Sequence, residues 1–90
     1  MENKTISSFA NTTRLKLLIC LGRGNKNVTE LISNCGLSQS AVSQHLEKLR
    51  KAKLVLTKRD GKEIIYKLTS KKSAKIASDL LKFSKGVDNK

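Results

Sequence analysis

The segment LSQSAVSQHLEKLRKAKLV, Leu37 to Val55, divides near its middle. Its front carries Ser38, Gln39, Ser40, Ser43 and Gln44, all uncharged and hydrogen-bonding; its rear carries Lys48, Arg50, Lys51 and Lys53. Ser38 is placed to cap a helix, along which Val42, Leu46 and Leu49 form an inward stripe. At about 100° per residue, Ser40, Ser43, Gln44, Glu47 and Lys51 then point outward. Such a helix suits the major groove of DNA. Small polar residues can enter the groove, where Gln pairs bidentately with adenine and Ser bonds several base edges. The exposed amides of the first turn favour a phosphate, and the rear cations hold phosphates without reading sequence.

Upstream, Asn27 and Glu30 have the spacing of a capping box. Val28, Leu31, Ile32 and Cys35 follow at helical spacing, which turns Cys35 toward the core, and Gly36 breaks the helix. Two short helices joined by a Gly-containing turn make a helix-turn-helix, here residues 27–52. Further upstream, Ile6, Phe9 and Ala10 suggest a short leading helix. Asn11-Thr12-Thr13 offers a cap before Leu15, Leu18 and Ile19, and Gly22 and Gly24 end that second helix. Downstream the period changes. LVLTKRDGKEIIYKL reads as two β-rich runs around Asp60-Gly61, a wing over 54–68. Pairing across that turn is expected to set Lys58 opposite Glu63. A last helix is expected from about Thr69, with a stripe of Ile76, Leu80, Phe83 and Val87. The expected fold is mainly α, a winged helix-turn-helix in the order α-α-α-α-β-β-α, forming a single domain over 1–90.

The bulk properties agree with a polyanion partner. Nineteen Lys and Arg against seven Asp and Glu leave a net charge of +12 in 90 residues, which draws nucleic acid before other partners. A basic membrane-surface helix would need aromatic anchors, and aromatics are only 3% of the chain, so no membrane partner is expected. The longest uncharged apolar run, Leu17 to Leu21, is too short for a bilayer. With no signal-peptide pattern at the N-terminus, the chain reads as cytoplasmic. Cys20 and Cys35 are too few for a disulfide framework and lack C-x-x-C spacing.

From Phe9 to Leu68 the sequence closely resembles the ArsR/SmtB family of bacterial winged-helix repressors. The resemblance rests on Asn11-Thr12-Thr13-Arg14-Leu15, on the Leu37–Val55 segment, and on the Asp60-Gly61 wing that ends in Ile65-Tyr66. It implies a homodimer built by the first and last helices (residues 1–10 and 69–87), binding a partly palindromic operator. An inducer, often a metal or a thiol-reactive species, usually releases such dimers from DNA. The interface would use Ile6, Phe9, Ile76, Leu80, Phe83 and Val87. The family's metal sites do not carry over. Where arsenic and lead sensors have Cys-x-Cys, this chain has Asn27 and Thr29. Its last helix has no His, and its only acids there are Asp79 and Asp88. Soft metals need thiolates and zinc prefers Cys or His, so neither a metal nor another cofactor is expected, and the inducer stays unassigned. Lys53 stands where the family commonly has Gly. If the backbone keeps φ > 0 there, Lys costs roughly 1 kcal/mol.

The DNA-contacting set is therefore Ser38, Gln39, Ser40, Ser43, Gln44, His45, Lys48 and Lys51 on the recognition helix, with Lys58, Arg59 and Lys62 on the wing. His45 is balanced between a DNA contact and a structural role, and Tyr66 reads as a packed strand residue. Cys20 and Cys35 are candidate redox thiols, since some members of the family sense oxidants or sulfur compounds through a thiol pair; buried free Cys more commonly acts as a small hydrophobe. Arg23 and Lys26 are near enough in sequence to lower a thiol pKa. No paired carboxylates, Cys/His couple or phosphate-binding Gly loop suggests an enzyme. The alternative is a winged helix serving RNA or protein interaction. RNA binding would favour stacking aromatics, and protein docking would favour exposed apolar residues on the recognition helix.

Overall fold

Asn3, Asn11, Asn27 and Ser38 each accept a backbone N–H through a side-chain oxygen and so start the first four helices. The computed structural model describes residues 3–88, with side chains as far as Gly86. The helices are α1 (Lys4–Ser8), α2 (Thr12–Gly22), α3 (Val28–Cys35) and α4 (Gln39–Lys51). Strands β1 (Val55–Asp60) and β2 (Glu63–Leu68) form the wing, and α5 (Lys72–Asp88) follows. At α3 the capping box is reciprocal, with Glu30 N–H donating to Asn27 at 2.8 Å and Asn27 N–H to Glu30 at 3.0 Å. Gly36 ends the helix at φ 65°, a left-handed position that costs glycine little.

The core is aliphatic. Leu17 and Leu18 of α2, Leu31 of α3, Val42, Leu46 and Leu49 of α4, and Val55 of β1 are almost wholly buried. The inward stripe of the Leu37–Val55 segment thus locks α4 against α2 and α3. On α5 the buried residues are Ser73 and Ala77, with Leu81 half-buried one turn on. These small side chains let α5 lie close along α2. A Cβ at Gly22 would sit 2.6 Å from the Ala74 Cβ, so glycine there is a packing requirement as well as a helix end. Ile76, Leu80 and Phe83 face outward. The α5 stripe is therefore not covered by the chain's own core, while Val87 lies outside the described side chains.

Three expectations are corrected. The hairpin turn is centred on Gly61-Lys62, which pairs Asp60 with Glu63 and Lys58 with Ile65; the expected Lys58–Glu63 pair does not form. Gly61 takes φ 63° and Lys62 does not turn positive, the sign pattern of a type II′ turn with Gly first. The last helix begins at Lys72, later than Thr69. Thr69 instead spends its hydroxyl on the Lys53 carbonyl, at 2.6 Å, and Ser70 accepts the Lys72 N–H at 3.2 Å. The third concerns only the reading of the cysteines as free, buried hydrophobes. Cys20 and Cys35 form a disulfide joining α2 to the end of α3, with Cα atoms 6.5 Å apart.

Candidate nucleic-acid interface

The exposed surface of α4 is the one its periodicity predicts. Gln39, Ser40, Ser43, Gln44, Glu47, Lys48 and Lys51 are all exposed, opposite the buried stripe. Ser38 accepts the Ala41 N–H at 3.3 Å, which leaves its hydroxyl hydrogen able to donate elsewhere. Glu47 is the only acid on this face. Arg50 meets both of its carboxylate oxygens, and these hydrogen bonds, more than the charge, hold the carboxyl below its ordinary pKa. The pair largely cancels the one negative charge on a helix that would approach DNA.

His45 differs from its neighbours because it is half-buried and committed. Its Nδ1 lies 3.1 Å from a terminal nitrogen of Arg14, a guanidinium that also donates to the carbonyls of Ser8 at 3.1 Å and Ser7 at 2.9 Å. Arg14 thereby ties the end of α1 and the start of α2 to the flank of α4. Burial chiefly, then the charges of Arg14 and Lys48, keep the imidazole pKa below its ordinary value. A neutral ring can accept from Arg14 where a protonated one cannot. The geometry thus gives His45 a positioning role.

The wing lies beside this helix. Lys58, Arg59 and Lys62 are exposed, with Arg59 Nε 3.4 Å from the Gly61 carbonyl. The wing is anchored twice along β2, beside the turn and midway along the strand. Asn27 donates to Glu63 at 3.0 Å, and Lys26 and Tyr66 exchange backbone hydrogen bonds of 3.1 and 2.8 Å across a single bridge. Tyr66 packs on the core as expected of a strand residue.

The α4-to-wing corner explains the lysine at 53. Leu54 N–H donates to Leu49 O and Lys53 N–H to Arg50 O, both at 3.0 Å, the paired bonds of a Schellman cap. That cap needs a left-handed residue, and Lys53, at φ 63°, is the only non-glycine with positive φ among the described residues.

The disulfide joins α2 to the C-terminal end of α3. A cavity of about 190 Å³ beside it is lined by Lys16, Ile19, Arg23 and Asn34 as well as the two cysteines. The Lys26 ammonium instead donates to the carbonyls of Cys20 and Gly24, each at 3.1 Å, capping the end of α2. Lys16 and Arg23 are thus the cations nearest to the sulfur pair's cavity. Lys16 went unnoticed in the sequence, although it lies one helical turn before Cys20. Among the described residues no three His, Cys, Asp or Glu side chains gather into a metal-binding group, and no helix is long and apolar enough to cross a membrane.

Residues 11–57 match the model of the bacterial regulatory protein arsR family. The nodulation protein NolR of Rhizobium meliloti is 44% identical over 75 residues, spanning 83% of this chain and 62% of that protein. The crystal structure of the transcriptional repressor BigR from Xylella fastidiosa superposes with a TM-score of 0.77 at 32% identity, covering 89% of this chain and 82% of that one. HlyU from Vibrio cholerae N16961 gives 0.74 at 35% identity, covering 89% and 87%. The chain spans 55–62% of the length of the first curated relatives it matches.

Proposed function

Because the chain belongs to the ArsR family of bacterial regulatory proteins, we propose that it is a sequence-specific DNA-binding transcriptional regulator, acting in the cytoplasm as a homodimeric repressor on a palindromic operator. The relatives it matches are regulators and not enzymes. One observation carries the reading: Ser40, Ser43 and Gln44 stand exposed on a helix whose opposite side, Val42, Leu46 and Leu49, is at most 1% exposed. The polar front cannot rotate inward without emptying the core, so it is available to base edges. In this reading Ser38, Gln39, Ser40, Ser43 and Gln44 read bases, while Lys48, Lys51, Lys58, Arg59 and Lys62 hold the flanking phosphates. His45 holds Arg14 and touches DNA at most through its remaining nitrogen.

The dimer reading rests on Ile76, Leu80 and Phe83 of α5 and Ile6 of α1, exposed by 47%, 39%, 72% and 70%. These apolar residues need a cover, and a second copy supplies one while presenting two recognition helices to one duplex. Phe9 is half-buried and would contribute at the edge of that interface. Selection of bound duplexes from a random pool tests the whole reading. Palindromic sites with half-sites spaced about 10 base pairs or a multiple apart support it, and recovery of no enriched sequence refutes it. The competing protein- or RNA-interaction module lacks a comparable feature, since the outward face of α4 carries no large apolar or aromatic residue.

A second reading follows from the disulfide. Disulfides in a reducing compartment are usually catalytic or redox-sensing, and Cys20 and Cys35 would interconvert between two thiols and one disulfide, releasing two protons and two electrons to an oxidant. Cys35 lies three residues before the Ser38 cap, so in this reading a change in the bond would alter how α3 presents α4. Titrating the same duplex with the C20S/C35S double variant, with and without peroxide, tests this. A peroxide response in the wild type that vanishes in the variant supports it, and identical responses end it.

A further inference from the structure

The residues assigned to DNA so far lie on α4 and the wing, yet α4 has a second flank. There, α1, the start of α2 and the rear of α4 enclose a cavity of about 230 Å³ lined by Lys4, Ser7, Ser8, Arg14, Lys48 and Lys51. Four of the six are cations and none is an acid. We infer that this cleft holds a DNA phosphodiester at the edge of the groove that α4 enters, with Lys4 and Arg14 as phosphate ligands contributed from outside the helix-turn-helix. The inference rests on the DNA-binding reading above.

The place of the cleft along α4 supports this occupant. Gln44, Lys48 and Lys51 fall at i, i+4 and i+7 and share one side of the helix. At about 1.5 Å rise per residue, Lys51 stands roughly 10 Å behind Gln44. The major groove is about 12 Å wide. When Gln44 is among base edges, the rear of this stripe, and the cleft it borders, is at the level of the phosphate ribbon. A cationic cleft in that position meets one ligand chemistry, a monoanionic phosphate oxygen pair.

The donor supply fits as well. Three of Arg14's five N–H groups are taken by Ser7 O, Ser8 O and His45, and two remain. The Ser7 and Ser8 hydroxyls both donate to the Lys4 carbonyl, at 3.2 and 2.7 Å, so they fix the wall and the cations provide the attraction. Among the described residues the only ion pair is Arg50–Glu47; Glu47 also feels the charge of Lys51, but no described carboxylate forms a salt bridge with Lys4, Lys48 or Lys51. The guanidinium is already anchored by three bonds before any ligand arrives. Little ordering of Arg14 is then needed on binding.

The test uses the full chain and a duplex of roughly 30 base pairs, long enough for two half-sites one helical turn apart. Binding is titrated between about 50 and 200 mM salt for wild type, Lys4→Ala, Lys4→Arg and Gln44→Ala. The cleft proposal expects Lys4→Ala to lower affinity on specific and random duplexes alike, and the slope of log K against log salt to shrink by about 0.9 per phosphate lost. Lys4→Arg should restore both. Replacing single phosphates by neutral methylphosphonates adds a location: one backbone position should weaken wild type and leave Lys4→Ala unaffected. If Lys4→Ala binds with wild-type affinity and slope while Gln44→Ala loses its base preference, the cleft proposal is overturned and the DNA reading stands. If wild type binds no duplex, both fall. Inorganic phosphate that stabilises wild type and not Lys4→Ala, with duplex binding unchanged by the variant, would instead make the cleft a free-anion site and overturn the proposal.

Discussion

Replacing Lys53 by Gly should stabilise the protein, although it removes a side chain and adds none. Lys53 holds φ 63° because the Schellman cap joining α4 to the wing requires it, and its carbonyl is also the acceptor for Thr69. An L-residue in the left-handed region is strained by roughly 1–2 kcal/mol. Glycine removes that strain but loses roughly 0.5–1 kcal/mol more backbone entropy on folding. Taken at the midpoints of these ranges, the difference leaves a net gain of about 0.75 kcal/mol. For a domain of this size each kcal/mol moves Tm by about 4–8 °C, so thermal unfolding followed by circular dichroism should show a rise of roughly 3–6 °C. An Ala at the same position is the control, since it retains the Cβ and should give none of the gain. A Tm for Lys53→Gly at or below that of wild type would refute the strain argument. The lost cation is read separately in a salt titration on DNA, where the slope should fall by no more than about 0.9 per protomer. The position would thus trade stability against charge.

Other perturbations follow from the same geometry. Gly22→Ala should destabilise by about 1–3 kcal/mol, the usual cost of overpacking, because its Cβ would meet Ala74 at 2.6 Å; Ala74→Gly in the same chain should recover much of the loss, and a denaturant titration showing no such coupling would count against the packing account. Reducing the Cys20–Cys35 bond, which closes a separation of 15 residues, should lower stability by roughly 3 kcal/mol on the chain-entropy model, read as a shift in the urea midpoint with and without reductant. Phe83→Glu, at a side chain 72% exposed, should shift sedimentation toward monomer without lowering the helical signal; an unchanged assembly state would remove Phe83 from the proposed interface. The folded protein holds the His45 pKa below the ordinary 6.5, so the unfolded chain protonates first. Stability should fall as pH drops below about 6.5 and level off beneath the folded pKa, and His45→Gln should flatten that portion of a pH–stability curve.

Much of the architecture was legible in one dimension because its signals act within a turn of helix. The Asn27–Glu30 capping box, the Ser38 cap and the Val42, Leu46, Leu49 stripe are all i to i+3 or i+4 relations, and all appear in the fold as read. At Lys53 the resemblance raised only the condition that the backbone keep φ > 0, and the structure supplied the answer, φ 63°. The hairpin shows the limit. Asp60-Gly61 signalled a turn, but the register depends on which residue takes φ > 0 first; Gly61 took it, and every cross-strand partner moved accordingly. The start of α5 moved for a related reason, since Thr69 and Ser70 serve better as hydrogen-bonding partners outside the helix than as members of it.

What the amino-acid order determined by itself was a capped helix, polar at its front and cationic at its rear, followed by a basic hairpin. Caps, period and charge are local properties, and they suffice to present a groove-sized surface. Three relations came only with the tertiary structure. Arg14 reaches His45 across 31 positions and so builds the wall of a cleft. Gly22 lies where Ala74 leaves no room for a Cβ. Cys20 and Cys35, unremarkable in spacing, meet as a disulfide. Each depends on how closely and at what angle one helix crosses another. That geometry comes from the joint packing of α1 to α5 around a shared leucine core, which no single segment encodes.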